Sequence, residues 1–207
     1  MFLSYDATRE KFQDQSNEGR RLHFYERGEE IPLLAQGVWQ VCRGLVQLST
    51  FHPYGEEVVL GWAQPSTFFG MWLTRLHPYQ AKALSDIYIR WFSICEIEAS
   101  PPLAHTMLTQ VIRQRRQTEA LLAIAGLRRT EDKLQQLLLL LKQEVGETVP
   151  EGTRLAVRFT HQNLANTIGT TRVTVTRLLG KFQRRGDLTI DGERHMILKN
   201  IRSTGES

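Results

Sequence analysis

Arg172, Thr174 and Arg177 fall within the stretch from Phe159 to Arg185, FTHQNLANTIGTTRVTVTRLLGKFQRR. A guanidinium presents its donors in a fixed fork that matches O6 and N7 of guanine, so a pair of arginines on one helix face is suited to reading base edges. Five residues at about 100° each place Arg172 and Arg177 within about 140° of one another. Thr174 lies between them, and Val173 can touch only apolar groups such as a thymine methyl. Lys181, Arg184 and Arg185 continue toward the sugar–phosphate backbone, where charge supplies affinity and salt dependence. Thr160 is placed to cap a first helix with His161 and Gln162 at its exposed start, and Thr170 or Thr171 to cap the second. Helix N-termini with such side chains hold phosphates, so these five residues and Lys181 are the candidate backbone contacts.

Such chemistry needs two short helices at a fixed angle. Leu164, Ala165, Ile168, Val175 and Leu178 are spaced so that each helix buries one face, and Gly169 permits the sharp turn between them. The pattern predicts a helix-turn-helix with the second helix in the major groove of double-stranded DNA. After Gly186, Leu188–Ile190 and Met196–Leu198 flank an Asp191-Gly192 turn, which predicts a β-wing. The competing reading, an ordinary helical hairpin with a basic surface, leaves the agreement of apolar spacing, paired Arg, basic tail and wing unexplained.

Charge is distributed to suit that reading. Residues 1–100 hold 9 Lys/Arg against 12 Asp/Glu, whereas residues 101–142 hold 7 against 3 and residues 143–207 hold 10 against 7. A polyanion partner is therefore expected for the C-terminal half only. At 207 residues, 41% hydrophobic and 23% charged, the chain has the composition of a globular protein of one large or two small domains. Leu137–Leu141, like every other apolar run in the chain, is too short to span a bilayer, and the polar first twenty residues lack a signal-peptide pattern. Cys42 and Cys95 are expected as buried, reduced thiols, and the protein as cytoplasmic, with no membrane partner.

The elements upstream divide in two. Val38–Leu48, Val58–Trp62 and Ile87–Ile97 are rich in β-branched and aromatic residues and separated by turn clusters such as His52-Pro53-Tyr54-Gly55. This predicts an antiparallel sandwich or jelly roll. Residues 1–20 are expected as a short helix or loose arm. From Leu103 to about Leu127, Leu108, Val111, Ile112, Thr118, Leu122 and Ala125 recur at helical spacing, and the stripe needs either the roll or a parallel copy of itself as partner. Arg113, Arg115 and Arg116 interrupt it, and part of this helix is expected to stay solvated or meet an anion. A second helix, Glu131–Val145, follows Thr130 as N-cap, with its LQQLLLLLKQ run buried between domains, and residues 146–152 read as a surface loop.

This order of parts, with the GTTRVTVTRLLG segment, Gly28-Glu29, Gly44, Gly55-Glu56 and Phe69-Gly70, resembles the Crp/Fnr family of bacterial transcription regulators over about Leu22 to Asn200. The Arg-Val-Thr-Val-Thr-Arg helix is especially similar to the cyanobacterial nitrogen-control branch, which senses 2-oxoglutarate. The resemblance implies an α+β chain. Residues 1–100 would form an antiparallel β jelly roll like a cyclic-nucleotide-binding domain, residues 101–128 a long dimerisation helix and residues 129–207 a winged helix-turn-helix. It implies a homodimer on a palindromic promoter and contact with RNA polymerase, with residues 52–57 as one candidate loop. Val173 stands where cyclic-AMP-type members carry a Glu, which points to GTA…TAC half-sites. Arg172 and Arg177 fall where members contact bases.

The sensor departs from its relatives. Cyclic-nucleotide binders carry a Gly-Glu-Leu turn and then an Arg for the phosphate. Here the turn is Phe69-Gly70-Met71-Trp72, followed only by Arg75 and Lys82 out of register, which argues against cyclic AMP. Two Cys cannot hold an iron–sulfur cluster, and His23, His52 and His77 form no haem-ligand pattern. Gln117-Thr118-Glu119 and Phe69-Gly70 match the 2-oxoglutarate branch, yet Tyr79 or Gln80 and Gln114 stand where its arginines are expected. The candidate pocket therefore comprises Phe69, Gly70, Met71, Trp72, Tyr79, Gln80 and Glu119. 2-Oxoglutarate, an apolar ligand and an effector-independent regulator all stay open. A cupin-type metalloenzyme with an accessory DNA module would need clustered His and Glu ligands; with no His-x-His pair, neither an enzyme nor a metal site is expected.

Overall fold

The computed structural model describes residues 21–199. The expected helix or arm over 1–20 lies outside them. Two antiparallel sheets form the N-terminal roll. One has strand order β1 (His23–Tyr25), β7 (Ile87–Ser93), β2 (Gly37–Arg43), β5 (Phe68–Phe69). The other runs β4 (Glu57–Ala63), β3 (Val46–Phe51), β6 (Gln80–Ala83). Alternation along β7 buries Ile87 and Ile89 and leaves Tyr88 and Arg90 in solvent, as a strand with one covered face requires. Trp39, Val41, Val46, Ala81 and Ala83 complete the core between the sheets. The single strand expected over Val38–Leu48 is two, because the chain turns at Gly44 and crosses from one sheet to the other.

The strand expected to reach Ile97 stops at Ser93. There the Ser93 hydroxyl accepts from the Glu96 N–H while the Glu96 carboxylate accepts from the Ser93 N–H, a capping box that starts α1 (Ile94–Ala99). As a result Cys95 lies on a short helix and is exposed, and Cys42 is half-buried, so neither is the buried thiol expected from its surroundings in sequence. The long helix α2 (Pro101–Ala125) takes both prolines into its first turn, where no amide partner is lost.

Helix α2 has two different faces. Gln117, Leu121 and Ile124 are buried against the rest of the chain. Leu108, Ile112 and Leu122, members of the expected stripe, are 56%, 43% and 73% exposed. Within the protomer these three are thus not packed on the roll, whereas Thr118 of the same stripe donates its hydroxyl to the Leu60 carbonyl at 3.2 Å. The buried face instead joins α3 (Thr130–Val145), whose Leu134, Leu137, Leu138 and Leu141 recur at i, i+3, i+4, i+7 and are fully buried. Each such leucine contributes about 1.5–3 kcal/mol of transfer free energy.

Residues 146–152, expected as a loop, open a hairpin of β8 (Gly146–Val149) and β9 (Gly152–Leu155). It extends the wing strands β10 (Leu188–Ile190) and β11 (Met196–Leu198) into one sheet of order β10-β11-β9-β8. Between them lie α4 (His161–Ile168) and α5 (Arg172–Arg184). Val175, Leu178, Leu179 and Phe182 of α5 share one core with Leu164, Ala165 and Ile168 of α4 and the leucines of α3. That core reaches the roll through Trp62, whose indole meets Phe159 edge-on at 6.0 Å. Polar links reinforce the junction: Asn166 Nδ2 donates to Glu57 Oε2 at 2.6 Å, and an Arg27 guanidinium N–H donates to the Arg158 carbonyl at 2.9 Å.

Candidate nucleic-acid interface

The geometry of the reader begins at Thr160. Its hydroxyl accepts from the Asn163 N–H at 3.0 Å, and the Asn163 side chain accepts from the Thr160 N–H at 3.0 Å, which fixes the start of α4. Gly169 ends that helix in the left-handed region, at φ 63° and ψ 53°, a conformation that a Cβ disfavours. The Thr170 N–H closes the turn on the Ala165 carbonyl at 3.0 Å. Of the two candidate caps it is Thr171 that starts α5, its hydroxyl accepting from the Thr174 N–H at 3.2 Å.

The exposed side of α5 carries Arg172, Val173 and Arg177, with Val173 78% exposed. Neither arginine forms an ion pair among the described residues, so both guanidinium forks are unoccupied by carboxylates. Thr174 is half-buried and its hydroxyl lies 3.0 Å from that of Thr171, which ties it to the cap. A partner that covers this face would take the Val173 side chain out of water and set two cations against its own charge, which suits a polyanion with apolar groups between its phosphates.

Thr160, His161, Gln162 and Arg172 line one surface concavity of about 460 Å³. His161 Nδ1 lies 2.7 Å from the Thr176 hydroxyl, which itself donates to the Arg172 carbonyl, so the imidazole braces α4 against α5. Burial, and then the charge of Arg172, hold the His161 pKa below its ordinary value. Gln162 is held by its bond to Asn166 Oδ1 at 2.6 Å. Lys181 is not idle: its ammonium lies 2.6 Å from Glu131, which also takes Arg185 at 3.1 Å. The two cations, the nearer bond being that to Lys181, lower the Glu131 pKa. Any phosphate contact by Lys181 must therefore compete with that carboxylate.

The wing is pinned by a charge cluster that sequence reading left out. Arg154 of β9 donates to Asp191 at 2.7 Å and to Glu193 at 2.6 Å, and lies 2.6 Å from His195 Nδ1. Asp191, Glu193 and His195 bring their ligand atoms within 4.8 Å of one another, but the guanidinium occupies the position a metal ion would need. Arg154, together with the His195 N–H, lowers the Asp191 carboxyl to about 2. A depressed carboxyl stabilises the fold fully above its unfolded value and loses that contribution as pH falls toward the folded one. Wing protection in hydrogen exchange is therefore expected to decline from about pH 4 down to about pH 2, and in Asp191→Asn to be low already at neutral pH with little further change. A wild-type acid profile in that variant would contradict the assignment.

A cavity of about 200 Å³ lies between the roll and α2. Leu48, Leu60 and Gly61 form one wall, Thr74, Leu76 and Tyr79 a second, and Gln114, Gln117 and Thr118 the helix side. Of the candidate pocket residues only Tyr79 lines it. Phe69 is buried in the roll core, Gly70 and Met71 belong to a single 3-10 turn at Met71–Leu73, and Trp72 is exposed. Gln80 pairs with Ser49 across the sheet, and Glu119 is exposed on α2, bridged to Arg115 at 3.4 Å. Arg113 leaves the helix surface to meet Glu144 at 3.4 Å. Gln117 was singled out in the sequence only as part of the Gln117-Thr118-Glu119 match, and Glu144 not at all, because a polar residue in a helix carries no signal of burial; only the fold shows that Gln117 is 4% exposed.

Residues 132–203 match the family model described as a Crp-like helix-turn-helix domain. Over 159 residues the chain is 35% identical to the regulatory protein CysR of Synechococcus elongatus, spanning 75% of this chain and 73% of that one. The chain belongs to the Crp/Fnr family. It is also 31% identical over 190 residues to the global nitrogen regulator of the same species, covering 86% and 85% of the two chains. Both relatives are cyanobacterial, in keeping with the resemblance of the recognition helix.

Solved structures share the fold. FixK2 from Bradyrhizobium japonicum superposes with a TM-score of 0.74 at 21% identity, covering 89% of this chain and 94% of that one. The regulator TTHB099 of Thermus thermophilus gives 0.73 at 20% identity, covering 86% and 92%. The Crp/Fnr chain is thus a transcription regulator with a DNA-binding helix-turn-helix, and its relatives are regulators rather than enzymes. Among the described residues no helix is long and apolar enough to cross a membrane.

Proposed function

We propose that this Crp/Fnr chain acts as a homodimer on a palindromic promoter site, with α5 of each protomer in the major groove of a half-site and a small molecule other than cyclic AMP read in the β-roll. The observation that carries the DNA reading is the unpaired, outward pair Arg172 and Arg177 around exposed Val173, on a helix anchored by capping and a full core. Arg172 and Arg177 bind guanine edges, Val173 meets a thymine methyl, and half-sites of the GTA…TAC kind follow. Thr160, His161, Gln162, Thr170 and Thr171 set the register on phosphates, with Lys181 exchanging Glu131 for the backbone. The β3–β4 turn, where Tyr54 is 95% exposed, is the surface offered to RNA polymerase.

The face of α2 left open in the protomer supports the dimer. Leu108, Ile112, Arg115, Glu119 and Leu122 follow one another at intervals of four, three, four and three, the spacing of a coiled-coil seam. Leucines close its two ends, and the exposed Arg115–Glu119 pair sits at its middle, where in a parallel seam each residue faces its own counterpart and opposite charges are reached only diagonally, one layer along the second copy. Leu122 is 73% exposed in the protomer, so Leu122→Arg leaves the fold intact. In sedimentation equilibrium this variant is expected to be monomeric, and its operator affinity to fall by about a hundredfold because two half-sites are no longer held together. A stable dimer in Leu122→Arg would contradict the seam.

A further inference from the structure

The cavity between roll and helix contains no Lys, Arg, His, Asp or Glu among its lining residues. Leu48, Leu60 and Leu76 supply apolar walls, whereas Tyr79 and Gln114 bring a hydroxyl and an amide that make no hydrogen bond within the described residues. Burial raises the Tyr79 pKa well above its ordinary value, so the phenol stays neutral and can donate. An anion held here would lose part of its hydration with no charged residue lining the space to compensate, whereas a neutral polar group finds a donor and an acceptor waiting. About 200 Å³ corresponds to about seven water volumes, enough for a molecule of about seven non-hydrogen atoms.

Gln117 links the cavity to the reader. Its Oε1 accepts from the Trp62 N–H at 2.6 Å and its Nε2 donates to Glu144 at 3.1 Å. Gly61 permits that approach: it has φ +152°, and a Cβ there would stand 2.5 Å from Gln117 Oε1. Glu144 lies at the end of α3, also takes Gln64 and Arg113, and leads directly into the sheet of the DNA-binding part. Trp62 continues the line to Phe159, immediately before the reader.

We propose that this cavity binds a small uncharged molecule carrying an amide or hydroxyl, and that Gln117 reports its presence to the DNA-binding helices through Glu144. This rests on the reading above that the roll senses a small molecule, and it names the class of that molecule. It differs from 2-oxoglutarate, the anionic candidate among the effectors that the resemblance left open.

Pentanamide and pentanoate have the same shape and differ in charge, so they serve as probes for the full chain, followed by methyl chemical shifts of Leu48, Leu60 and Leu76 in the absence of DNA. Pentanamide is expected to shift these methyls saturably and to bind at least about tenfold more tightly than pentanoate. Leu76→Trp, at the exposed rim, is expected to weaken it by a further factor of about ten without lowering the melting temperature. Equal or tighter binding of pentanoate or 2-oxoglutarate at these methyls, or no shift with pentanamide at 50 mM, would overturn the ligand class. For the link, saturating pentanamide is expected to change affinity for a duplex operator about threefold in the wild type and not in Glu144→Gln. An unchanged response in Glu144→Gln would overturn the route through Gln117. Because the first arm contains no DNA, failure of the regulator to bind an operator leaves the cavity result readable.

Discussion

Arg172→Ala and Arg177→Ala are each expected to weaken binding to a cognate operator by about 1–3 kcal/mol, roughly 5- to 150-fold, while binding to unrelated duplex changes far less. The magnitude follows from what is lost. A bidentate guanidinium on guanine discriminates by geometry, and alanine leaves the base's two acceptors without a partner at a groove surface from which water has been expelled. Neither arginine supports the fold: both are exposed and outside the ion pairs that hold Lys181 and Arg185. The variants should therefore melt like the wild type. Lysine at either position should recover charge, and with it non-specific affinity, but little of the discrimination. Competition binding with operator and scrambled duplexes at one fixed salt concentration measures both quantities. Unchanged discrimination in both alanine variants would remove these residues from base reading.

Phe182→Ala is expected to cost about 3–5 kcal/mol, the range for emptying a buried aromatic site. Phe182 is 1% exposed, packed in the core that α3, α4 and α5 share, and its ring also carries the Arg185 guanidinium at 4.8 Å. That loss is a large fraction of the about 5–15 kcal/mol that holds a typical domain folded. The roll has a core of its own around Trp39, Ile87 and Ile89, so the damage should fall on the DNA-binding part. In denaturant the variant should show an early transition that removes hydrogen-exchange protection from α4 and α5 and leaves β2, β3 and β7 protected. Loss of both parts in one step would mean that the Trp62–Phe159 junction couples them more tightly than the separate cores imply.

The reader was legible from sequence because its determinants are local. A helix-turn-helix needs two caps, a turn glycine and apolar residues three or four apart, and Thr160, Thr171, Gly169 and the Leu164–Leu178 series supply all of these between Thr160 and Leu178. The wing was legible for the same reason, through the Asp191-Gly192 turn. What escaped were decisions made by distant partners. The strand β7 ends at Ser93 although apolar residues run on to Ile97, because a side-chain cap competes with the ladder there. Residues 146–152 look like a loop until β11 offers them a sheet to join. The stripe on α2 was visible, but which of its faces the roll would cover was not, since buried Gln117 outranks exposed Leu122 only through its bonds to Trp62 and Glu144. The pocket set drawn from family likeness likewise kept only Tyr79 at the cavity, because the side chains that close it come from Leu48, Leu60 and Gln114, on elements far apart in sequence.

Selection of bound duplexes from a random library by the 207-residue chain, followed by sequencing, tests homodimeric base reading directly. Homodimeric reading by α5 predicts an enriched two-fold symmetric site whose half-sites each hold a guanine, with centres about one helical turn, roughly 34–36 Å, apart. Enrichment of a single asymmetric half-site, or no enrichment above the starting library, would contradict it.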